Sequence, residues 1–522
     1  MPHHALKNED ILREIFMHLS PAAPRKILIF VKFDALHRAT LLNAALSCRS
    51  FHNPALDVLW RTMDDITNLF RILPAFYKLD EIYVKDVTRL LFIQLTLLPP
   101  QVLDGPISEE DWSRFDMYAR RIRQLIFVDI EADPTVYTRM TWLKKSAPLL
   151  PCLTSLSAAP LGPGMLSLLS PTLRTVRISA PSIQNYPVVW VALEVLTDAE
   201  RFPYLEELFV QSSLTAPSLL SFPRITNLRD LTILEGVNDL GIFTTLSALR
   251  RLTSLRIEFE EPSSFVTQPD ASSIAFPSLE TLSLAVEIRY VIPLLQVLPS
   301  NVLQNLGITA GLGVANNSRE KLNWSRIFET ITSKFSNSLK SLRVMPDDVV
   351  MHQTPSNDFR IFEPLLDIHG LEVAEFRWFA WMLFSDEEYG KIASAWLKAR
   401  KLEFPSSDMP KATLASLQCF GLTCRYLRHL AISFDARNLP PIDTVTLPSL
   451  SHALETLDVQ RSPIKSERAA ARHIDRLFPS VTDVLSGSLS SNMMWHDVGD
   501  LLSVLKAVRA DERARDGVTS RP

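Results

Sequence analysis

The sequence predicts an α/β fold: a solenoid whose curved parallel sheet carries helices on its outer face, preceded by an all-α N-terminal module. Three observations predict it. A leucine-x-x-leucine-x-aliphatic pattern recurs from the middle of the chain onward. The intervals between copies leave room for one strand and one return per unit. About sixty N-terminal residues read as three short leucine-rich helices.

The pattern appears as Leu173-Val176-Ile178, Leu205-Leu208-Val210, Leu228-Leu231-Ile233 and Leu252-Leu255-Ile257. It returns as Leu279-Leu282-Leu284, Leu303-Leu306-Ile308, Leu339-Leu342-Val344, Leu427-Leu430-Ile432 and Leu454-Leu457-Val459. Weaker copies stand at Ile122-Leu125-Phe127, Leu153-Leu156 and Leu371-Ala374-Phe376. The last two positions are two residues apart, so both side chains point to one face of a short strand. Steps of 20, 32, 23, 24, 27, 24 and 36 residues separate first positions from Leu153 to Leu339. That spacing is the signature of a leucine-rich-repeat solenoid. Pro151, Pro171, Pro203, Pro277 and Pro479 each stand two residues before a strand-opening Leu or Val, where they mark the return from helix to strand. The asparagine ladder of regular repeats is absent, and stretches 258–275, 345–359, 404–411 and 435–448 read as loops. A globular α/β domain with coincidental leucine spacing is the alternative.

Composition bounds the function. The 522 residues are 47% hydrophobic and 21% charged, the balance of a folded protein. Lys+Arg 54 against Asp+Glu 58 leaves −4, which excludes a chain built mainly to neutralise nucleic-acid phosphates and leaves a local basic patch possible. With 14 glycines against 35 prolines, glycine-rich phosphate cradles are disfavoured. Four cysteines (Cys48, Cys152, Cys419, Cys424) make no disulfide framework, and no histidine has zinc spacing to them. We expect an intracellular protein without metal or cofactor. No signal-peptide pattern opens the chain, and the uncharged stretch 146–173 holds five prolines, so it reads as buried loop and strand and not as a membrane span.

At the N-terminus Asn8 caps a helix over 9–19, with Ile11, Leu12, Ile15, Phe16 and Leu19 as one stripe. A second helix over 40–50 turns Leu41, Leu42, Ala45 and Leu46 inward, and a third follows Pro54. Three such helices cannot bury all their leucine on one another, so the surplus expects a partner or the next domain. Ser108 caps a further helix with Asp111 as its reciprocal partner and Trp112, Phe115 and Ala119 inward. At the far end Trp495, Val498, Leu501, Leu502, Leu505 and Val508 form a capping helix, followed by a charged tail over 511–522.

These residues resemble known modules. Asn8-Glu9-Asp10-Ile11-Leu12-Arg13-Glu14-Ile15-Phe16 looks like the opening helix of an F-box. Leu41-x4-Leu46-Ser47-Cys48-Arg49-Ser50-Phe51, then Ala55-Leu56-x-x-Leu59-Trp60, looks like its closing half. Lys7-Asn8 replaces the common Leu-Pro, and the apolar insertion 25–33 lengthens the first junction. Residues 413–432, with Cys424 before Leu427-x-x-Leu430-x-Ile432, resemble the cysteine-containing repeat class often found in F-box proteins. There the cysteine packs as a small apolar residue. Together with 107–125, the chain resembles the large fungal families of F-box-like proteins with irregular leucine-rich repeats. The resemblance implies residues 1–62 as an F-box-like module and 63–121 as a helical linker and cap. Residues 122–485 are then repeats, and 486–522 a C-terminal cap and tail.

It also implies a substrate-recognition subunit of a cullin-RING (SCF-type) ubiquitin ligase. The small adaptor subunit would dock on Ile11, Leu12, Ile15, Phe16, Leu41, Leu42, Leu46, Leu59 and Trp60. A target protein would bind the concave strand face, at Arg177, Glu207, Phe209, Asp230, Arg256, Glu258, Arg343 and Arg377, with Glu375 and Asp458 as further anions. Mixed charge there suits a protein surface and not nucleic acid. No nucleotide, zinc-protease or serine-hydrolase motif occurs, so no enzymatic activity is expected. A repeat scaffold with a self-packed helical cap and no ligase is the alternative.

Overall fold

The computed structural model describes residues 8–20, 35–78, 101–127, 133–145, 147–158, 163–180, 186–212, 214, 220–237, 241–259, 276–298, 302–311, 317–346, 359–377, 383–407, 409–440, 452–487 and 492–519. The apolar insertion read at 25–33 lies outside them. The chain forms two compact units, Met1–Leu252 and Thr253–Pro522.

The first unit opens with helices α1 (Glu9–Met17), α2 (Ala35–Ser47) and α3 (Arg49–Leu59). Asn8 caps α1, its side-chain oxygen accepting from the amides of Asp10 and Ile11 at 2.9 and 3.4 Å. Two boundaries differ from the sequence reading. α2 begins five residues earlier than expected, and α3 starts at Arg49 with Pro54 inside it. Pro54, in the second turn of α3, forfeits a hydrogen bond yet keeps a helical φ, so it marked the wrong place. The module closes its own core with Leu12, Phe16, Leu41, Ala45, Ala55, Leu56 and Val58.

Six parallel strands follow in the order β1 (Thr62–Met63), β4 (Gln124–Phe127), β5 (Ser155–Ala158), β6 (Thr175–Ser179), β7 (Glu207–Gln211) and β8 (Asp230–Val237). β2 (Phe76–Lys78) and β3 (Gln101–Leu103) form a separate antiparallel pair. Ser108 and Asp111 form the expected capping box on the helix Glu109–Ala119, which buries Phe115 and Ala119. In the second unit the parallel order is β9 (Ser254–Phe259), β10 (Thr281–Glu287), β11 (Asn305–Gly311), β12 (Ser341–Pro346), β13 (Val373–Phe376), β14 (Lys401–Glu403), β15 (His429–Ala431), β16 (Thr456–Asp458) and β17 (Asp483–Leu485).

The register is the leucine pattern. In the first unit Leu125, Leu156, Val176, Leu208 and Leu231 pair in succession. In the second the ladder runs Leu255, Leu282, Leu306, Leu342, Ala374, Leu402, Leu430, Leu457 and Val484. From Leu125 to Leu457 these rungs are buried apart from solvent-facing neighbours. Each buried Leu or Val contributes roughly 1.5–3 kcal/mol against exposure. Both units are therefore leucine-rich repeats.

Two repeats escaped the sequence pattern. Ala399-x-x-Leu402-x-Phe404 is a full repeat whose first position is alanine, so Phe404 closes a buried triplet and does not open a loop. Trp60 and Met63 occupy the places of Ile122 and Leu125, and β1 joins the sheet directly after α3. With Ala399 included, the rungs from Ala374 to Val484 step by 28, 28, 27 and 27 residues.

Many of the strands are entered through a tight turn. The amides of Leu153, Leu173, Leu205, Leu279 and Val481 donate to the carbonyls of Leu150, Ser170, Phe202, Phe276 and Phe478, three residues back. The marking prolines sit second in these turns, where a fixed φ near −65° is favoured. The same turn forms without proline at Ile368–Leu371, Trp396–Ala399 and Cys424–Leu427. Cys424 thus fills the slot that Trp396 and Phe478 fill elsewhere, fully buried, its thiol donating to the Ala393 carbonyl at 3.5 Å. Burial pushes that thiol up to about 12. The C-terminal helix Asn492–Thr519 packs against β17 and the helix Glu467–Leu477, burying Trp495, Val498 and Leu502. It continues through most of the charged stretch read as a tail.

Candidate functional site

Two surfaces carry the residues singled out from the sequence. On the helical module the nine proposed docking residues divide. Leu12, Phe16 and Leu41 belong to the module's own core, and Leu59 and Trp60 pack against it. The structure thereby corrects their reading as a docking surface: α1 and α2 both pack on α3, and these side chains fill that space. Ile11 (42% exposed), Ile15 (49%), Leu42 (46%) and Leu46 (73%) remain open to solvent. Ile11 and Ile15 stand one helical turn apart on α1, and Leu42 and Leu46 likewise on α2. The module is anchored on its other side. Trp60 packs on Tyr118 of the helix Glu109–Ala119 with ring centroids 4.7 Å apart, and Asp57 accepts from Arg13 at 2.8 Å and from Arg121.

The second surface is the solvent side of β12–β16. At one level β12, β13, β14 and β16 present Arg343, Glu375, Glu403 and Asp458, with Ala431 of β15 between the last two and Lys401 and His429 beside them. Glu375 is 3.3 Å from Arg343 and 3.0 Å from Lys401. Glu403 is 2.6 Å from Arg377, 2.9 Å from Lys401 and 3.3 Å from His429 Nε2. The sequence reading placed Glu375 on an exposed face. Its neighbours cover it to 6% exposure, and Glu403 to 7%.

Burial pushes the Glu403 carboxyl up, but the facing His429, the Arg377 hydrogen bond and the Lys401 charge outweigh it and hold the group well below the usual carboxylate range. Arg377 is raised, chiefly by its bond to Glu403. Asp458 is raised because burial exceeds the help of the Gln460 amide, which donates to it at 2.8 Å. A carboxylate held that low is a poor base near neutrality.

The other proposed target contacts are spread along the strands. Arg177 pairs in register with Phe209, and Glu207 with Asp230, so two acids stand side by side in the first unit. Arg256 and Glu258 lie on β9, opposite Ser283 and Ala285. Of the eight, only Arg343 and Arg377 join the charge cluster. Sequence reasoning missed Lys401 and Glu403 because it missed their repeat.

No family profile matches the chain, and no curated protein matches it in sequence. Several solved structures do. The internalin InlF of Listeria monocytogenes has 12% identity and TM-score 0.34, covering 80% of this chain and 96% of that one. The yeast Rad7 and Elc1 complex has 13% identity and TM-score 0.36, covering 68% and 83%. The leucine-rich repeat-containing protein LegL7 of Legionella pneumophila has 14% identity and TM-score 0.29, covering 50% and 73%. The strand ladder, and not these likenesses, carries the fold assignment. No helix among the described residues is long and apolar enough to cross a membrane.

Proposed function

We propose that this chain is a two-part adaptor of protein association and that it performs no bond chemistry itself. The N-terminal helices are F-box-like and dock the small adaptor subunit of an SCF-type ubiquitin ligase, while the repeat strands hold a target protein. Its contribution to ubiquitin transfer is proximity, a high effective concentration of target lysines near a ligase-bound ubiquitin carrier. The observation that carries this reading is a helical module with a closed core that still turns Ile11, Ile15, Leu42 and Leu46 outward. Exposed aliphatics of this kind mark association surfaces.

A second reading has its own observation. The packing of Trp60 on Tyr118 and the pairing of Asp57 with Arg13 and Arg121 tie the module to the neighbouring helix, as a self-packed cap of a scaffold would require. A pull-down with the adaptor separates the two. Ile15→Asp with Leu46→Asp should abolish binding with an unchanged melting temperature, since both side chains are exposed. Retained binding in that variant, or none in the natural chain, defeats the ligase reading. Leu12→Asp is no test, because a buried carboxylate in the module core unfolds it.

A further inference from the structure

In the first unit a cleft of about 490 Å3 opens between α1, α3 and the C-terminal end of the helix Glu109–Ala119. Arg13, Arg61, Arg120, Arg121 and Arg123 line it, against Glu9 and Asp57. The acids are already engaged. Asp57 accepts from Arg13 and Arg121, and Glu9 accepts from Arg13 at 3.1 Å. Among the described residues the Arg123 side chain donates to the carbonyls of Arg120 and Ile122. Among the described residues no carboxylate reaches Arg61, Arg120 or Arg123.

The cationic surplus is held in place by the fold. The Arg61 carbonyl accepts the amides of Arg123 and Gln124 at 2.9 Å each, which fixes Arg61 beside Arg123 where β1 meets β4. Asn53, at the rim, receives Arg121 on its side-chain oxygen at 3.0 Å. Charges at a helix C-terminus complement the dipole, which accounts for Arg120 and Arg121. It does not account for Arg61 and Arg123, which lie on strand-flanking backbone.

Met117 is the one apolar side chain lining the cleft. Protein segments dock through apolar anchors, and this cleft lacks them. Its volume is that of a small-molecule site, and guanidinium forks match phosphate oxygens in pairs. We infer that the cleft binds a compact, hydrophilic oligophosphate, using Arg61, Arg120 and Arg123 as its primary contacts. The inference is independent of whether the α1 and α2 aliphatics dock an adaptor.

The test titrates the full chain calorimetrically with tripolyphosphate, inorganic phosphate and hexaglutamate at about 0.15 M salt. The expected result is one site that prefers tripolyphosphate over both others and weakens as salt rises. Arg61→Gln and Arg120→Gln should each weaken it about tenfold, the loss of one charge-assisted contact. Arg174→Gln, a solvent-exposed arginine of the same unit, should leave it unchanged. Melting curves of all variants should coincide; if one drops, the variant that melts normally decides. Absence of tripolyphosphate binding at millimolar concentration overturns the inference. So does an equal loss in Arg174→Gln, or equally tight hexaglutamate binding, which would mark an acidic-chain dock.

Discussion

The outward side chains of the N-terminal helices and those of the late repeats are opposites. α1 and α2 turn aliphatics to solvent, whereas β12–β16 turn out ions that find their partners on neighbouring strands. A charged face can therefore have its carboxylates covered by ionic partners, while a leucine face stays open. What asks for a partner is the unsatisfied surface, and polarity alone does not identify it. The three arginines without carboxylates in the first unit make the same point from the charged side.

The contrast can be broken most directly by stability. Leu430→Ala, at a buried rung of the second unit's ladder, should cost about 2–5 kcal/mol in urea unfolding. Ile15→Ala should stay within about 0.5 kcal/mol. Similar losses at both positions would show that Ile15 is packed in solution.

A smaller effect sharpens the charged half. Glu403→Gln leaves Arg377 and Lys401 short of a carboxylate and should cost about 1–3 kcal/mol, less than for a fully buried pair because both cations are partly solvated. The sign with pH follows from the lowered pKa of Glu403. Its contribution is full above the ordinary value of 4.5 and fades as pH falls below it toward the folded-state value. Asp458, raised by burial, works the other way, since acid relieves its destabilisation. The natural chain should therefore lose more stability than Glu403→Gln between neutrality and the acid limb, as read by denaturation at stepped pH. Parallel curves would remove Glu403 from the account.

The mildest test leaves the fold intact. Exposed Cys48 should react with maleimide at neutral pH, whereas Cys424, with its thiol pushed up to about 12, should react only on unfolding. Prompt labelling of Cys424 would mean that the turn it fills opens readily.

The repeat fold was legible because strand period and burial coincide: leucines two and three apart announce one face of a short strand. It failed where the residue was small or the strand short. Ala399 does not read as a ladder position beside leucines, and β1 is only Thr62–Met63. Losing the Ala399 repeat also lost Lys401 and Glu403, the centre of the charged face. On the helices, adjacency defeated the reading. Ile11 beside Leu12 and Leu41 beside Leu42 are equally apolar, and only the packing of α3 decides which turns inward. The arginine cleft had only a partial local signal, Arg120-Arg121-x-Arg123, since Arg13 and Arg61 join it only through the fold.

The strand entry has a consequence for how such a chain can change. From β4 to β8 and from β10 to β17 each strand is held at its start by a neighbouring carbonyl that takes two amides, as Glu372 does for Arg400 and Lys401. Nothing in that anchoring measures how much chain came before it. Leu156 and Val176 align across 20 residues and Leu306 and Leu342 across 36, with no slip in pairing. Segments between strands can thus be spliced in or trimmed, and new recognition loops acquired, without disturbing the stack that displays them.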